Sequence, residues 1–556
     1  MANRDTVADK VPARLGDMDA EAFRRHGHAL VDWIADYLND AERYPVLSRN
    51  APGAVRDALP PSPPEQGVPF DTILRDFERV ILPGITHWNH PGFFAYFAIS
   101  GAAPGVLAEF LSAALNVQAM LWRTSPAATE LEEVTLGWLR QLLGLPDAFE
   151  GVIYDTASIS SLHALAAARH RAVADVRTRG LAGRSDIGPL RVYASEQAHS
   201  SIDKAIMTLG LGHEALARIP ADAEFRMRPE ALREAIAADR ARGVTPLAVV
   251  ATVGTTSTTS VDPVGPIARL CADEGLWLHV DAAYAGVAAL VPETRDVLAG
   301  CERADSFVVN PHKWLFTPFD LSAFYCRHMD TLRDAFSLTP DYLQTLEAVE
   351  VRNLMDTGVQ LGRRFRSLKL WAILRHFGSE GIRDRLAEHM RLARLFAAWV
   401  DESPDFERLA PVPFSVVCFR AVPAGGTGTE DAGAVGAGGG AGAATASGNA
   451  TAAGDARVAT ALGNATAAVD ASAGTAPGNA TAAGAAAGDA LNERLLEAVN
   501  ATGEVFLSHT RLDGRFTLRL AVGHVRTEER HVRRAWDLLN EKLRAFRASS
   551  TPLASA

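Results

Sequence analysis

Apolar positions at helical spacing open the chain, with Phe23, Leu30, Ile34 and Leu38 on one side of a helix over residues 20–45. Pro45, Pro52 and the run Leu59-Pro60-Pro61-Ser62-Pro63-Pro64 then read as an extended connector. A second helical stretch, Phe70 to Ile81, ends at Pro83-Gly84. Together these make an arm laid over something else, with no core of its own. Further on the pattern changes. Helical spacing over Thr129–Leu143, Ser160–Val176, Ser201–Leu209, Pro229–Arg242 and Pro263–Glu274 alternates with short apolar runs at Val192–Ala194, Leu247–Thr252, Trp277–Val280, Phe307–Val309 and Ala323–Tyr325. Such alternation predicts an α/β domain whose largely parallel sheet is covered on both faces. Ligands of such sheets sit beyond the C-terminal strand ends, so chemistry is sought just after each run. Two long helices (Arg366–His376, Gly381–Val400), strands at Val416–Cys418 and Arg515–Leu520, and a last helix over Glu528–Arg547 predict a smaller α+β domain. The expected division is an arm over 1–95, a large domain over 96–375 and a small domain over 376–556.

The small domain is interrupted. Between Ala424 and Asp489 nearly every residue is Ala, Gly, Thr, Ser or Asn, and the hexamer Gly-Asn-Ala-Thr-Ala-Ala recurs from Gly448, Gly463 and Gly478. No unit carries apolar side chains large enough to stack a core, so the expectation is a flexible surface insertion over 424–489. The Asn-Ala-Thr triplets match a glycosylation sequon by chance, since no secretory leader accompanies them.

Composition narrows the partners. A formal charge of −11 with no basic block excludes nucleic acid and anionic membranes as expected partners. Cys271, Cys301, Cys326 and Cys418 are scattered singly, so neither a zinc site nor a disulfide framework is expected, and no metal is called for. The most apolar stretch, Ala95 to Met120, is broken by Glu109 and Asn116 and is no membrane span. A cytoplasmic location is expected.

Four strand ends carry candidate chemistry. Asn310-Pro311-His312-Lys313-Trp314 follows Phe307–Val309 and sets a lysine between an apolar strand and Trp314-Leu315-Phe316. A desolvated amine there loses proton affinity and can form an imine with a carbonyl. His279-Val280-Asp281-Ala282-Ala283-Tyr284-Ala285-Gly286 ends another strand in a carboxylate beside residues, Ala283 among them, small enough for a flat ring to lie close. Asp281 alone also reads as a helix cap, the lesser reading, and with no second carboxylate beside it not as a metal ligand; beside an imine lysine it holds a pyridine nitrogen protonated. Thr156-Ala157-Ser158-Ile159-Ser160 opens a helix in the manner of a phosphate site, and Gln197-Ala198-His199-Ser200-Ser201 brings a histidine after Val192–Ala194. Each motif has an ordinary structural reading. Their convergence on one cofactor sets them apart.

With these motifs the chain resembles the group II pyridoxal-phosphate decarboxylases, and within them the aromatic-L-amino-acid decarboxylases. The likeness runs from about Phe23 to Val422 and resumes near Leu491. Thr86-His87-Trp88, Phe93–Phe97 and Leu361–Lys369 look like the aromatic branch. The resemblance implies a fold-type I, aspartate aminotransferase-like large domain and an obligate homodimer whose sites draw on both copies. It implies that Lys313 binds pyridoxal 5'-phosphate as a Schiff base, that Asp281 pairs with the ring nitrogen, and that His199 stacks on the ring. Ala157, Ser158, Asn310 and His312 would lie around the phosphate, and Thr256 near the cofactor and His199. Tyr342 matches a loop tyrosine that protonates the substrate carbon, so it favours the amine over an aldehyde. Trp88, Tyr96, Phe97 and Phe319 are candidates for an aromatic slot, with Gly362 leaving room for an indole. Ala98-Ile99, Gln118 and Met120 depart from the family pattern and leave the preferred side chain open. The implied reaction is decarboxylation of an L-amino acid, aromatic by expectation (tryptophan, phenylalanine, tyrosine or DOPA). The alternatives are a glutamate or histidine decarboxylase, an aromatic aldehyde synthase, an aminotransferase or aldolase of the same fold, or a non-enzymatic scaffold.

Overall fold

A computed structural model describes residues 16–338, 351–423 and 479–550. Tyr342 and most of the Ala/Gly-rich insertion lie outside the described residues. Among the described residues twelve strands follow in chain order: β1 (Phe93–Phe94), β2 (Glu150–Tyr154), β3 (Leu190–Ser195), β4 (Leu216–Ile219), β5 (Thr245–Thr252), β6 (Trp277–Asp281), β7 (Ser306–Val309), β8 (Ser322–Cys326), β9 (Phe406–Arg408), β10 (Val416–Ala421), β11 (Phe506–Leu512) and β12 (Arg515–Ala521).

The larger sheet runs β2-β8-β7-β6-β5-β3-β4, parallel from β7 to β4, with β8 antiparallel to both its neighbours. Every residue of β6, β7 and β8, and all of β5 after Thr245, is buried. That is why these strands read as continuous apolar runs: both faces are covered. The largely parallel sheet of an α/β domain, covered on both faces, is the one the sequence predicts. Strand order reverses between β3 and β5, which makes the cleft beyond their C-terminal ends a topological switch point. Parallel register sets Thr252 beside Asp281, and Asp281 beside Val308, so the three strands finish level at that cleft.

Helix Ala157–Ala172 packs across the sheet with a face of small residues, Ser160, Ser161, Ala164, Ala167 and Ala168, all buried. Small side chains let its axis come close to the strands, and its N-terminus points at the strand ends. Helix Ser367–Glu402 is expected from sequence as two pieces; it runs through with one break, at Gly378, where φ is +63° and a side chain would be strained.

The smaller sheet runs β1-β11-β12-β10-β9. Its edge strand β1 comes from the arm, where Phe93 and Phe94 pair in parallel with Phe506 and Leu507 of β11. The arm is therefore stitched into the C-terminal sheet. Helix Asn479–Asn500 begins inside the stretch expected as insertion. Asp489 explains why: its carboxylate accepts the Phe516 N–H at 2.9 Å and pairs with Arg511 at 2.8 Å, anchoring the helix to β11 and β12. Among the described residues no helix is long and apolar enough to cross a membrane.

Candidate active site

β7 ends at Val309, and Asn310-Pro311 turns the chain at once into the short helix Pro311–Trp314. Proline at the first helical position pre-sets the turn, so Lys313 is presented directly above the strand end. Its amine lies 5.3 Å from the centroid of the Phe97 ring. Burial lowers the amine's proton affinity below that of an ordinary lysine, while the Asp281 carboxylate works the other way. Asp281 closes β6, and its Oδ1 accepts the Ala283 N–H at 3.1 Å. Ala283 in turn accepts the Asn310 N–H through its carbonyl at 3.0 Å. One short path of backbone thus fixes three expected site residues relative to one another.

Two residues before Asp281, on the same side of the strand, His279 shares hydrogen bonds with Ser161 (3.1 Å) and Ser306 (2.9 Å). Burial holds it neutral, with its pKa pushed down to about 4. It ties β6 to the helix whose first residues are Ala157 and Ser158. At that helix start the Ile159 and Ser160 N–H groups return to the Thr156 carbonyl, both at 3.1 Å. No side chain caps the end, so the amides of Ala157 and Ser158 point outward at the cleft. His312 accepts the Leu321 N–H at Nδ1 (2.9 Å), which places its proton on Nε2. Burial first, then the neighbouring Lys313 charge, pushes it down to about 3, against a pull from Asp320. Phe319 lies against this ring, with centroids 4.9 Å apart.

A ligand is tested by what the protein leaves unsatisfied. The Asn310 Oδ1, fully buried, has no hydrogen-bond partner among the described residues. A carboxamide in that state fits a place where a ligand completes its bonds. Outward amides at a helix start, a neutral imidazole donor, a buried amine and a carboxylate across the cleft match the needs of pyridoxal 5'-phosphate: phosphate, aldehyde and ring nitrogen. The residues fit the group.

His199 follows β3 and opens onto the cleft. Its Nδ1 accepts the Ser201 N–H at 3.1 Å, so in the neutral ring the proton is carried on Nε2. Surrounding protein lowers its proton affinity most, the Lys313 charge adds to this, and Asp281 opposes. Thr256 stands in the turn after β5, its carbonyl bound by Arg519 at 2.9 Å. Phe97 is brought to Lys313, whereas Trp88 stacks on Phe93 at 4.3 Å and Tyr96 turns its edge to Phe506 at 5.9 Å. Gly362 lies elsewhere, beside Gln118, whose Nε2 is 3.1 Å from where a Cβ would stand. The room expected there for an indole is therefore partly taken by that amide.

Nothing in the sequence around it singles out Arg519. Buried on β12, its guanidinium donates to the carbonyls of Thr256 (2.9 Å) and Ser257 (2.8 Å) and to Ser508 Oγ (3.1 Å), and lies 5.5 Å from the Phe97 ring. It bolts the turn after β5 to the smaller sheet. Thr252, 4 % exposed with a hydroxyl that has no described partner, is equally silent in the sequence, where it reads as the last residue of an apolar run.

The pyridoxal-dependent decarboxylase conserved domain matches residues 52–422. A phenylacetaldehyde synthase of Arabidopsis thaliana is 37 % identical over 95 % of this chain and 97 % of its own length. Tyrosine decarboxylase 2 of the same plant is 39 % identical, covering 96 % of this chain and 89 % of its own. A crystal structure of Oryza sativa TDC with PLP and tryptamine superposes with a TM-score of 0.83 at 35 % identity, covering 96 % of this chain and 99 % of that one.

Proposed function

The chain belongs to the pyridoxal-dependent decarboxylase family, and on that premise we propose that it releases CO2 and an amine from an aromatic L-amino acid, with Lys313 carrying the cofactor. The carrying observation is the Lys313 amine, its proton affinity lowered by the protein packed around it, at the same cleft as Asp281 and His199. Relatives named for tyrosine, tryptophan and aromatic amino acids support the substrate class.

When bound, pyridoxal 5'-phosphate supplies an aldehyde that captures an amine and a protonated ring that accepts the electron pair left as CO2 departs. Burial lowers the proton affinity of the Lys313 amine and so favours the neutral form that attacks a carbonyl. The Asp281 carboxylate, steadied by the Ala283 amide, offers an acceptor to a ring N–H and favours positive charge there. The amides of Ala157 and Ser158, with Asn310 and the Nε2–H of His312, are donors for a phosphate. His199 presents an Nε2–H into the cleft, fixed by its bond to Ser201, and Thr256 lies on the turn held by Arg519. Phe97 supplies apolar wall beside the Lys313 amine, and Phe319, against His312 but exposed in a single copy, belongs with the residues that meet the substrate. Trp88, Tyr96 and Gly362 belong to the same proposal as residues that meet the substrate's side chain once two copies assemble. Tyr342 is the proposed proton donor to the former α-carbon.

A homodimer is part of this reading. Helix Ala103–Leu115 leaves Leu107, Phe110, Leu111 and Leu115 between 49 % and 61 % exposed, an apolar face of the kind a second copy covers. Four unpaired buried cysteines support a cytoplasmic setting. The division of the chain at 95 and 375 is likewise proposed.

The test is to reduce the purified protein with borohydride, locate the fixed cofactor by peptide mass, and incubate the enzyme with aromatic amino acids, glutamate and histidine. Cofactor on Lys313 with equal CO2 and aromatic amine supports the proposal. Cofactor on another lysine, amine from glutamate or histidine alone, or an aldehyde with peroxide as the main product sinks it.

A further inference from the structure

Three rings form a column that starts beside Lys313 in sequence and returns to its amine in space. Trp314, fully buried, stacks on Tyr284 with centroids 4.8 Å apart and planes 10° apart. Tyr284 stacks on Phe97 at 3.9 Å and 19°. Phe97 faces the Lys313 amine at 5.3 Å. The middle ring is anchored by its hydroxyl, which bonds Ser415, and Ser415 donates to the Val522 carbonyl at 2.6 Å. The far ring is anchored by His389: the Trp314 Nε1–H donates to His389 Nδ1 at 3.0 Å, and His389 Nε2 meets the His524 carbonyl at 3.0 Å. A carbonyl only accepts, so the His389 proton is on Nε2 and Nδ1 is the acceptor the indole needs. Both bonds lie in the interior, where one tautomer and one ring orientation are thereby selected.

We infer that His389 is a positioning residue for Lys313, holding Phe97 against its amine through Trp314 and Tyr284. The inference rests on Lys313 being the lysine that carries the cofactor. Stacking is weak and has no fixed register, so the contacts alone leave the column free to slide. Hydrogen bonds at Trp314 and Tyr284 remove that freedom. What Phe97 then provides is dryness. The Lys313 amine owes its lowered proton affinity first to burial, and a displaced Phe97 admits water to it. The other groups facing that amine are Asp281, His199, His312 and, across Phe97, Arg519. None of them is among the charges acting on His389, which are Glu388 and Arg385. A change at His389 therefore reaches Lys313 through the rings and not through charge.

The experiment strips the full-chain enzyme with hydroxylamine and follows recapture of pyridoxal 5'-phosphate by its visible band across pH. His389→Leu removes the acceptor at similar volume; the midpoint of recapture should rise by about one pH unit, with recapture near neutrality slowed about tenfold. His389→Gln, which keeps an acceptor for the indole, should restore most of the rate. Trp314→Phe, which keeps a ring and loses the donor, should reproduce the shift, and the double variant His389→Leu/Trp314→Phe should be no worse. A folded His389→Leu with the wild-type midpoint overturns the inference, as do single effects that simply add. Should His389→Leu not fold, an unshifted Trp314→Phe overturns it equally. Wild-type enzyme that fixes no cofactor on Lys313 after borohydride fails the functional reading itself, a result distinct from these.

Discussion

Six of the buried histidines make mild acid the sharpest test of how this fold holds together. Burial is the main cause in each: pKa values fall to about 4 for His90, His279 and His389, and to about 3 for His163, His312 and His524. In an unfolded chain an imidazole takes its proton near about 6.5. The folded chain refuses that proton until much lower pH, so the stability at stake is whole above the unfolded pKa and drains as pH falls toward the folded ones. At about pH 5.5 each unfolded imidazole gains somewhat more than 1 kcal/mol that the folded one cannot match, about 8 kcal/mol for the six. Asp262 acts in the opposite sense. Burial raises it to about 6, so its folded form takes up a proton earlier than the unfolded carboxyl and returns about 1 kcal/mol over the same span. The net loss, about 7 kcal/mol, is comparable with the whole stability of a typical domain, about 5–15 kcal/mol. Urea titrations followed by tryptophan fluorescence at about pH 7.5, 6.5 and 5.5 should show the midpoint falling by more than half. Equal midpoints at the two ends would falsify the claim that these rings are held neutral by burial.

The remaining predictions address the site, the core and the insertion. Asp281→Asn should lower turnover at least about a hundredfold while borohydride still fixes the cofactor on Lys313; wild-type kcat in that variant would remove Asp281 from its role. Tyr342→Phe should divert product from amine toward aldehyde, read by chromatography of both, and an unchanged product ratio would strike Tyr342 from the mechanism. Glu132 accepts the Ile153 N–H at 2.7 Å and pairs with buried Arg363 at 2.6 Å, so Glu132→Ala strands a guanidinium and should cost about 3–5 kcal/mol in urea unfolding. Replacing residues 424–478 by a short linker should move the urea midpoint by no more than about 1 kcal/mol allows, whereas cutting on through Asp489 should destabilise the enzyme, since that carboxylate anchors the C-terminal sheet.

How far the sequence could be read follows from where each signal is stored. β5, β6 and β7 announce themselves because strands buried on both faces must be continuously apolar, and Asp281, Asn310 and Lys313 stand out because polarity returns at their ends. β11, by contrast, reads Phe506-Leu507-Ser508-His509-Thr510-Arg511-Leu512, which looks like polar loop until β1 and β12 are seen on either side of it. β2 hides for a similar reason, opening on Glu150-Gly151. Helix Asn479–Asn500 starts in low-complexity sequence and is defined by tertiary anchors at Asp489 and Asn492 that no local pattern encodes.

The same division governs the site. The residues proposed to bond the cofactor sit next to strand ends and can be found by walking the chain. Residues that aim them come from far away: His279 reaches Ser161, Arg519 reaches Thr256, and His389 reaches Trp314. Their sequence separations erase any motif, and each is an ordinary buried polar residue until its partner is known. The chemistry is therefore legible in one dimension, while the precision that the chemistry needs is written only in three. A protein keeping Lys313 and Asp281 but losing these distant supports should still capture an aldehyde, and should do so at the wrong pH.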